Sequence, residues 1–408
     1  MVGAWHTMEV SAVDVAEPCV LLKLGEIVLK GRNRQRFERM LLANIRTGLA
    51  DLRLGIDIWQ REGVIVLRVG DGSVDPAQAI GAVARQVCAV MGIVRVHQAV
   101  RVAKDPEAAA AAAVALTAGV TGTFAVRARR RDKRFPMRST ELAAHIGARV
   151  QQAHGLGVNL SHPDTEVFVE VDQREVFVFT GGMPGQGGLP VGMSGRALVL
   201  MSGGIDSPVA AYRMMRRGLR CDFLHFSGMP LTGPESIYKA YALMRELDQF
   251  QRGSRLFVVA FGKTQQRVAA SGAERLQIMA QRRLMLKTGE ALAAKLDAAA
   301  LVTGDSLGQV SSQTLANIAA LDDAVGLPIL RPLIGFDKTE IMAEARRIRT
   351  LAISELPDED CCTLLTPRRV ETRAKPADLR LIERRLGADE LVDALVESAQ
   401  EYRPAIAG

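Results

Sequence analysis

Apolar and polar positions change period several times along this chain. Residues 19–24 and 64–69 are short apolar runs of strand length, whereas 33–52 repeats Phe37, Met40, Leu41, Asn44, Ile45 and Leu49 at helical spacing. A second helix is expected over 76–90 and a further strand over 93–102. Such short alternating units suggest a small α+β module of ferredoxin type. A second unit spans 105 to about 180. It opens with an alanine-rich helix around 108–115, followed by a strand at 122–127, a basic loop at 129–138 and a helix at 140–153. It closes with a hairpin whose strands, 166–171 and 176–180, are joined by 172–175.

Seven glycines fall between 181 and 195, the pattern of a hinge or linker. Beyond it, strands at 197–201, 222–226, 256–260 and 300–303 alternate with helices. That alternation implies a parallel, doubly wound sheet with its ligand at the carboxyl ends of the strands. One or two helices are expected from 367 onward.

Composition narrows the classes. The 408 residues are 48% hydrophobic and 24% charged, enough for two or three ordinary cores. A net charge of +7 and a pI near 9.3 favour a polyanionic partner. The five cysteines are odd in number and mostly far apart, which argues against a disulfide framework and for a reducing, cytoplasmic setting. No C-x-x-C and no metal-ligand spacing of histidines occurs, so no structural metal is expected. The first eighteen residues lack the apolar core of a signal peptide, and no stretch is long and apolar enough to span a bilayer.

The sharpest chemistry lies at 196–208, where a buried-strand pattern leads into Ser202-Gly-Gly-Ile-Asp-Ser207 and then a helical run. Gly203 and Gly204 let the backbone approach an anion, and Ser202, Ser207 and the N–H groups opening the helix can grip phosphate oxygens. The kinase-type loop G-x-x-x-x-G-K-[ST] is absent. Instead the motif looks like the pyrophosphate loop of enzymes that split ATP into AMP and pyrophosphate to adenylate a substrate. The Asp206 carboxylate repels bare phosphate, so it is better placed holding Mg²⁺ or orienting the loop. Three further segments fall at strand ends. His225-Phe226 can border a nucleobase, although alone it fits a strand-end core pair as well. The run 303–314 is too rich in hydroxyls and amides for a mere turn. In 331–338, Lys338 can neutralise developing pyrophosphate charge. Arg282 and Arg283 sit on one helix, where one of them can face a nucleotide. Cys361-Cys362, in a polar loop, reads as a reactive thiol pair rather than a mutual disulfide.

Arg127, Arg129, Arg130, Arg131, Lys133, Arg134 and Arg138 place seven positive charges in twelve residues, with Phe135 among them to stack or to anchor the loop. That density suits the phosphates of a folded RNA, read by shape. Lys30, Arg32 and Arg34 add charge around a glycine turn, either as a helix start or as an RNA contact.

Together these segments resemble the bacterial tRNA 4-thiouridine synthases, the ThiI-like tRNA sulfurtransferases, over nearly the whole chain. Residues 22–34 look like the family's ferredoxin-like signature, and 124–142 are similar to the heart of its RNA-binding THUMP domain. Residues 202–208, 303–314 and 331–338 look like its adenylation domain. The resemblance implies three domains, at 1–75 (ferredoxin-like), 76–182 (THUMP) and 183–408 (a pyrophosphate-loop domain of the adenine nucleotide α-hydrolase type). It implies that ATP, with Mg²⁺, adenylates O4 of the uridine at position 8 of tRNA, after which persulfide sulfur displaces AMP at C4. Leu200, Met201, His225, Phe226, Arg282, Gly304 and Gln313 would line the ATP site. Asp206 and Lys338 would be required for adenylation, and Cys361 would carry sulfur. Cys362, or Cys221, is the candidate resolving thiol. Longer members carry a C-terminal rhodanese domain that this sequence does not reach, so sulfur is expected directly from a cysteine desulfurase, and a role in thiamine biosynthesis is weakened. Which of the two adjacent thiols carries the sulfur stays open, as does homodimer formation. The rival readings are another pyrophosphate-loop tRNA thiolase, an ATP-dependent amide ligase, or an RNA-binding module with a vestigial ATP site.

Overall fold

The computed structural model describes residues 16–61, 63–70, 75–357, 365, 367 and 369–404. The first strands and helices are β1 (Glu17–Leu24), α1 (Arg34–Leu49), β2 (Ile56–Arg61), β3 (Val64–Val69), α2 (Pro76–Val87) and β4 (Ile93–Val102). They continue with α3 (Pro106–Leu116), β5 (Thr123–Arg130), α4 (Ser139–His154), β6 (Gly157–Val158), β7 (Thr165–Val171), β8 (Val176–Thr180) and β9 (Met183–Pro184). Two helices start by the same device: Asp75 and Asp105 accept hydrogen bonds from backbone N–H groups of the first turn, and proline follows each at the first helical position.

The strands expected in two separate units share one sheet. Its order is β2-β3-β1-β4-β8-β7-β5-β6, with β9 added along β4. Antiparallel pairing of β4 with β8, Ala99 opposite Phe179, joins the two halves. Beneath it, Val167, Val169 and Val171 alternate inward and meet Leu142, Ile146 and Val150 of α4 and the small alanines of α3. Strand β2 has no buried residue, which is why hydrophobicity alone did not reveal it.

The glycine-rich stretch is pinned rather than free. Gly185 and Gly187 donate to the carbonyls of Val94 and Ile93, and a Cβ on Gly185 would lie 2.2 Å from Ile93 O. Leu189 and Gly192 donate instead to Arg216 and Gly218, and Gly188, at φ +72°, leaves no room for a Cβ against Arg216 O. The boundary between two compact units falls between these two sets: the first comprises 1–28, 49–89 and 93–187, the second 29–48, 90–92 and 188–408. Helix α1 therefore counts with the second unit, where Asn44 Nδ2 donates to Val191 O at 3.0 Å.

The second unit contains β10 (Arg196–Leu200), α5 (Asp206–Arg216), β11 (Arg220–Ser227), α6 (Glu235–Asp248), β12 (Leu256–Ala260), α7 (Gly262–Ala270) and α8 (Gln277–Lys295). It ends with β13 (Leu301–Val302), α9 (Leu315–Asp322), β14 (Ile329–Leu330), α10 (Lys338–Arg347), α11 (Leu351–Ser354), α12 (Pro376–Leu386), α13 (Ala388–Glu397) and β15 (Gln400–Tyr402). The sheet order β14-β13-β10-β11-β12-β15 is parallel throughout except for β15, an antiparallel edge strand where only helices were expected. Helices α5 and α6 pack on β11, while α8 packs on β10 and β13 with α7, α9, α12 and α13 around it. The strand order reverses between β10 and β13, and the carboxyl ends there form the crevice that such sheets use for ligands.

Candidate functional site

Strand β10 keeps its pairing one residue past its end, since Met201 N–H donates to Leu224 O at 2.8 Å. The chain then turns through Ser202–Ile205 into α5. Ser207, buried in the first turn, ties the loop to the helix: its Oγ accepts from Ser202 N–H at 3.0 Å and lies 3.1 Å from Ser202 Oγ. Ser202 Oγ in turn accepts from Gly204 N–H at 3.2 Å. The loop is thus closed on itself before any ligand arrives, with the positive end of the α5 dipole beneath it.

The loop after β13 packs directly onto this helix start. A Cβ on Gly304 would stand 2.8 Å from Ser207 N and 2.9 Å from the Asp206 carbonyl carbon, so only glycine fits. From the same loop Gln309 Nε2 donates to Asp206 Oδ2 at 3.1 Å. Lys338, the first residue of α10, reaches Asp206 Oδ1 at 2.7 Å, and its helix is started by an Asp337–Glu340 capping box. Asp206 therefore receives an ammonium on one carboxylate oxygen and an amide on the other. The two loops are cross-linked by Ser306 Oγ donating to Phe336 O and Leu307 N–H donating to Ile334 O.

Behind Gly304, buried Asp305 organises the site. Arg282 Nη2 donates to its Oδ1 at 2.5 Å and Gln313 Nε2 to the same oxygen at 3.2 Å. Thr303 Oγ1 donates to Oδ2 at 2.8 Å, and Arg331 Nε lies 3.3 Å from it. Burial pushes this carboxyl up, but the charge of Arg282, the Thr303 and Arg282 hydrogen bonds and the Arg331 charge bring it below the ordinary carboxylate range. Arg282 and Gln313, 31 positions apart, thus meet on a residue that motif reading did not single out. The only sequence signal was the polar density of 303–314.

The remaining expected residues divide. Leu200 and Met201 sit where β10 gives way to the loop. His225 is buried with both ring nitrogens engaged, Nδ1 2.9 Å from Met201 O and Nε2 3.1 Å from Ser236 Oγ. Phe226 is buried in the hydrophobic core, edge-on to Phe261. Arg283 lies deep in the protein, bound to Glu383, Asp323 and Ala320 O, so Arg282 is the member of the pair that faces the site. Cys361 and Cys362 lie outside the described residues. The chain leading to them is held near the loop: Ser354 Oγ donates to Gly204 O at 3.3 Å, and Lys239 Nζ to Leu356 O at 2.6 Å. Cys221 is corrected as a resolving thiol. It is fully buried on β11, and burial, with Asp222 beside it, raises its pKa far above that of a free thiol.

The basic segment also differs from expectation. Strand β5 continues past Arg127 to Arg130, paired in parallel with β7 as far as Val171, so Arg129 and Arg130 are strand residues rather than loop residues. Much of its charge is matched internally. Arg127 pairs with Glu166, Arg134 with Asp132, and Arg131 lies 3.9 Å from both Glu170 and Asp172. Arg130 donates to Phe135 O, and Phe135 is a buried anchor rather than a stacking platform. Arg129, Lys133 and Arg138 stand exposed. Lys30, set over the Phe37 ring, and exposed Arg32 fall in the other compact unit.

Comparison with known proteins places three family models along the chain. A ThiI ferredoxin-like domain matches 19–96, a THUMP domain 107–180, and a model described as thiamine biosynthesis protein (ThiI) 192–387. The chain is 53% identical over 394 residues to a protein of Nocardia farcinica named "Probable tRNA sulfurtransferase", covering 95% of this chain and 94% of the other. Proteins of the same name from Thermus thermophilus and Moorella thermoacetica are 40% and 39% identical over more than nine-tenths of both chains. Among solved structures, a crystal structure of a 4-thiouridine synthetase–RNA complex with bound ATP superposes with a TM-score of 0.86 at 29% identity. That match covers 95% of this chain and 99% of the other.

Proposed function

The chain belongs to the tRNA sulfurtransferase family, and from that premise we propose how its residues carry out the ATP-dependent conversion of a tRNA uridine to 4-thiouridine. The observation that carries the reading is the convergence of Lys338, Gln309 and Gly304 on Asp206 and Ser207 at the mouth of the Ser202–Ser207 loop.

The loop and the α5 N-terminus hold the phosphates of ATP. Uridine O4, at position 8 of the tRNA, attacks the α-phosphorus, forming the O–P bond of an adenylate as pyrophosphate leaves. Lys338 swings from Asp206 to the departing phosphates and balances the charge that develops there. Mg²⁺ takes few protein carboxylates and several phosphate oxygens. Asp206 fits that donor set, and no cluster of three or more His, Cys, Asp or Glu side chains among the described residues competes for the ion. When bound, the ion neutralises phosphate charge. The terminal sulfur of a Cys361 persulfide then attacks C4 and AMP leaves. The resulting C4–S–S–Cys361 linkage is cleaved by a second thiol, Cys362 or one from solution, which becomes part of a new disulfide as the thiouridine is freed. A cysteine desulfurase in the cytoplasm supplies the persulfide.

The purified protein with ATP, Mg²⁺, unmodified tRNA and either sulfide or a cysteine desulfurase with cysteine is expected to give the 4-thiouridine absorbance band. Absence of the band from both sulfur sources, with the protein folded, would overturn the reading.

Arg129 and Lys133, exposed cations of the basic segment together with Arg138, bind RNA phosphates. Their double replacement by alanine is expected to weaken tRNA binding about tenfold and to reduce the slope of log affinity against log salt by roughly 2, with the thermal midpoint unchanged. A filter-binding salt titration measures both, and an unchanged slope removes these residues from the interface. Arg131→Ala is expected instead to lower the thermal midpoint, because Glu170 and Asp172 lose a charge partner.

A further inference from the structure

The Asp305 cluster contains an unmatched acceptor. Gln313 spends its amide nitrogen on Asp305 Oδ1, while its Oε1, shielded from solvent, has no hydrogen-bond partner among the described residues. Chemistry requires that orientation. An ionised carboxylate accepts hydrogen bonds and donates none, so a glutamine amide facing it must present nitrogen to it and turn oxygen away. Asp305 is held ionised by the two guanidiniums of Arg282 and Arg331 and by the Thr303 hydroxyl. The same carboxylate fixes Arg282, whose second nitrogen, Nη1, lies 3.4 Å from Ser312 O and Oγ on the turn that carries Gln313.

We propose that Asp305 is a positioning residue that locks the Gln313 side chain with its carbonyl toward the nucleotide, so that the site selects a nucleotide bringing a hydrogen-bond donor to that point. This rests on the reading that Arg282 and Gln313 line the ATP site. The phosphates of ATP offer only acceptors at neutral pH, which leaves two donor sources, the N6 amine of adenine and the ribose hydroxyls. Gln313 therefore discriminates by base or sugar rather than by charge. Were position 305 an uncharged amide, it could both donate and accept, the Gln313 amide could turn over, and the selection would be lost.

The test measures tRNA-dependent pyrophosphate release with ATP, inosine triphosphate (which carries a carbonyl in place of the amine), 2′-deoxy-ATP and 3′-deoxy-ATP. Wild type is expected to prefer ATP by about tenfold in kcat/KM over one class of analogue, the size of one satisfied hydrogen bond. Loss with inosine triphosphate identifies the amine as the donor, and loss with a deoxynucleotide identifies the ribose. Asp305→Asn is expected to raise the KM for ATP about tenfold, to change kcat less than threefold and to erase that preference. Gln313→Ala, at a half-buried position whose loss leaves Asp305 its two arginine partners, is expected to erase it without lowering the thermal midpoint. That variant keeps the test open should Asp305→Asn fail to fold. Equal use of all four nucleotides by wild type, or a preference retained in both variants, overturns the proposal. No pyrophosphate release from ATP by wild type would instead defeat the adenylation reading itself.

Discussion

Lys338→Ala is expected to slow tRNA-dependent pyrophosphate release from ATP by about 10²–10³-fold, the cost of removing one preorganised charge at a developing oxyanion. Lys338 is about half exposed and pairs with Asp206 across a sequence separation of 132 residues. An ion pair of that exposure contributes little to stability, so the thermal midpoint should move by no more than a degree or two. Its placement matters for another reason. Lys338 begins α10, and the capping box formed by Asp337 and Glu340 sets the backbone from which the ammonium projects. Asp206→Asn is expected to give a loss of similar size through the ion rather than through the charge of Lys338, with a raised Mg²⁺ requirement as its signature. If Lys338→Ala keeps pyrophosphate release within threefold of wild type, the charge-balancing role is refuted.

Cys361→Ser is expected to abolish 4-thiouridine formation supplied by a cysteine desulfurase while leaving single-turnover pyrophosphate formation within a few-fold of wild type, with AMP retained on the tRNA as the adenylate. Serine cannot carry a persulfide, whereas adenylation relies on residues of the loop, β13 and α10. The two steps should therefore separate cleanly. Cys362→Ser is expected to halt at the C4–S–S–Cys361 adduct in the absence of added thiol, because the Cys361 disulfide to the base is left without its neighbouring attacker, whereas wild type frees one thiouridine before its new disulfide must be reduced. Single-turnover and multiple-turnover assays distinguish these outcomes. Full activity in Cys361→Ser together with loss in Cys362→Ser would exchange the two roles. Fully buried Cys221 is expected to be silent in both assays.

Several parts of this protein were readable along the chain because they are local. Strand β4 runs over 93–102 as its apolar pattern indicates, since a buried strand must place side chains on both faces of a sheet. The Ser202–Ser207 loop was legible because each residue type answers a demand made within six positions: glycine for close approach, hydroxyls for closing the loop, a helix start for the anion. Strand β2 and edge strand β15 were not legible, since neither buries a residue and β15 takes its pairing from β12, far away in the chain. The arginine-rich segment was overread for the same reason. Net charge can be counted in a sequence, but Glu166, Glu170 and Asp172 on β7 and the following turn neutralise part of it only once β5 and β7 pair.

The amino-acid sequence alone determined most element types of each half and the Ser202–Ser207 loop, which follow from short-range spacing, and its motifs carried the resemblance to the family that implied the reaction. Tertiary structure decided that the ferredoxin-like and THUMP strands share one sheet and that Cys221 is sealed. It also decided that Arg282, Gln313 and Arg331 converge on Asp305, while Gln309 and Lys338 converge on Asp206. The reason is geometric: local spacing governs φ, ψ and the facing of side chains, whereas strand order and register choose which distant carboxylate each cation and amide will meet.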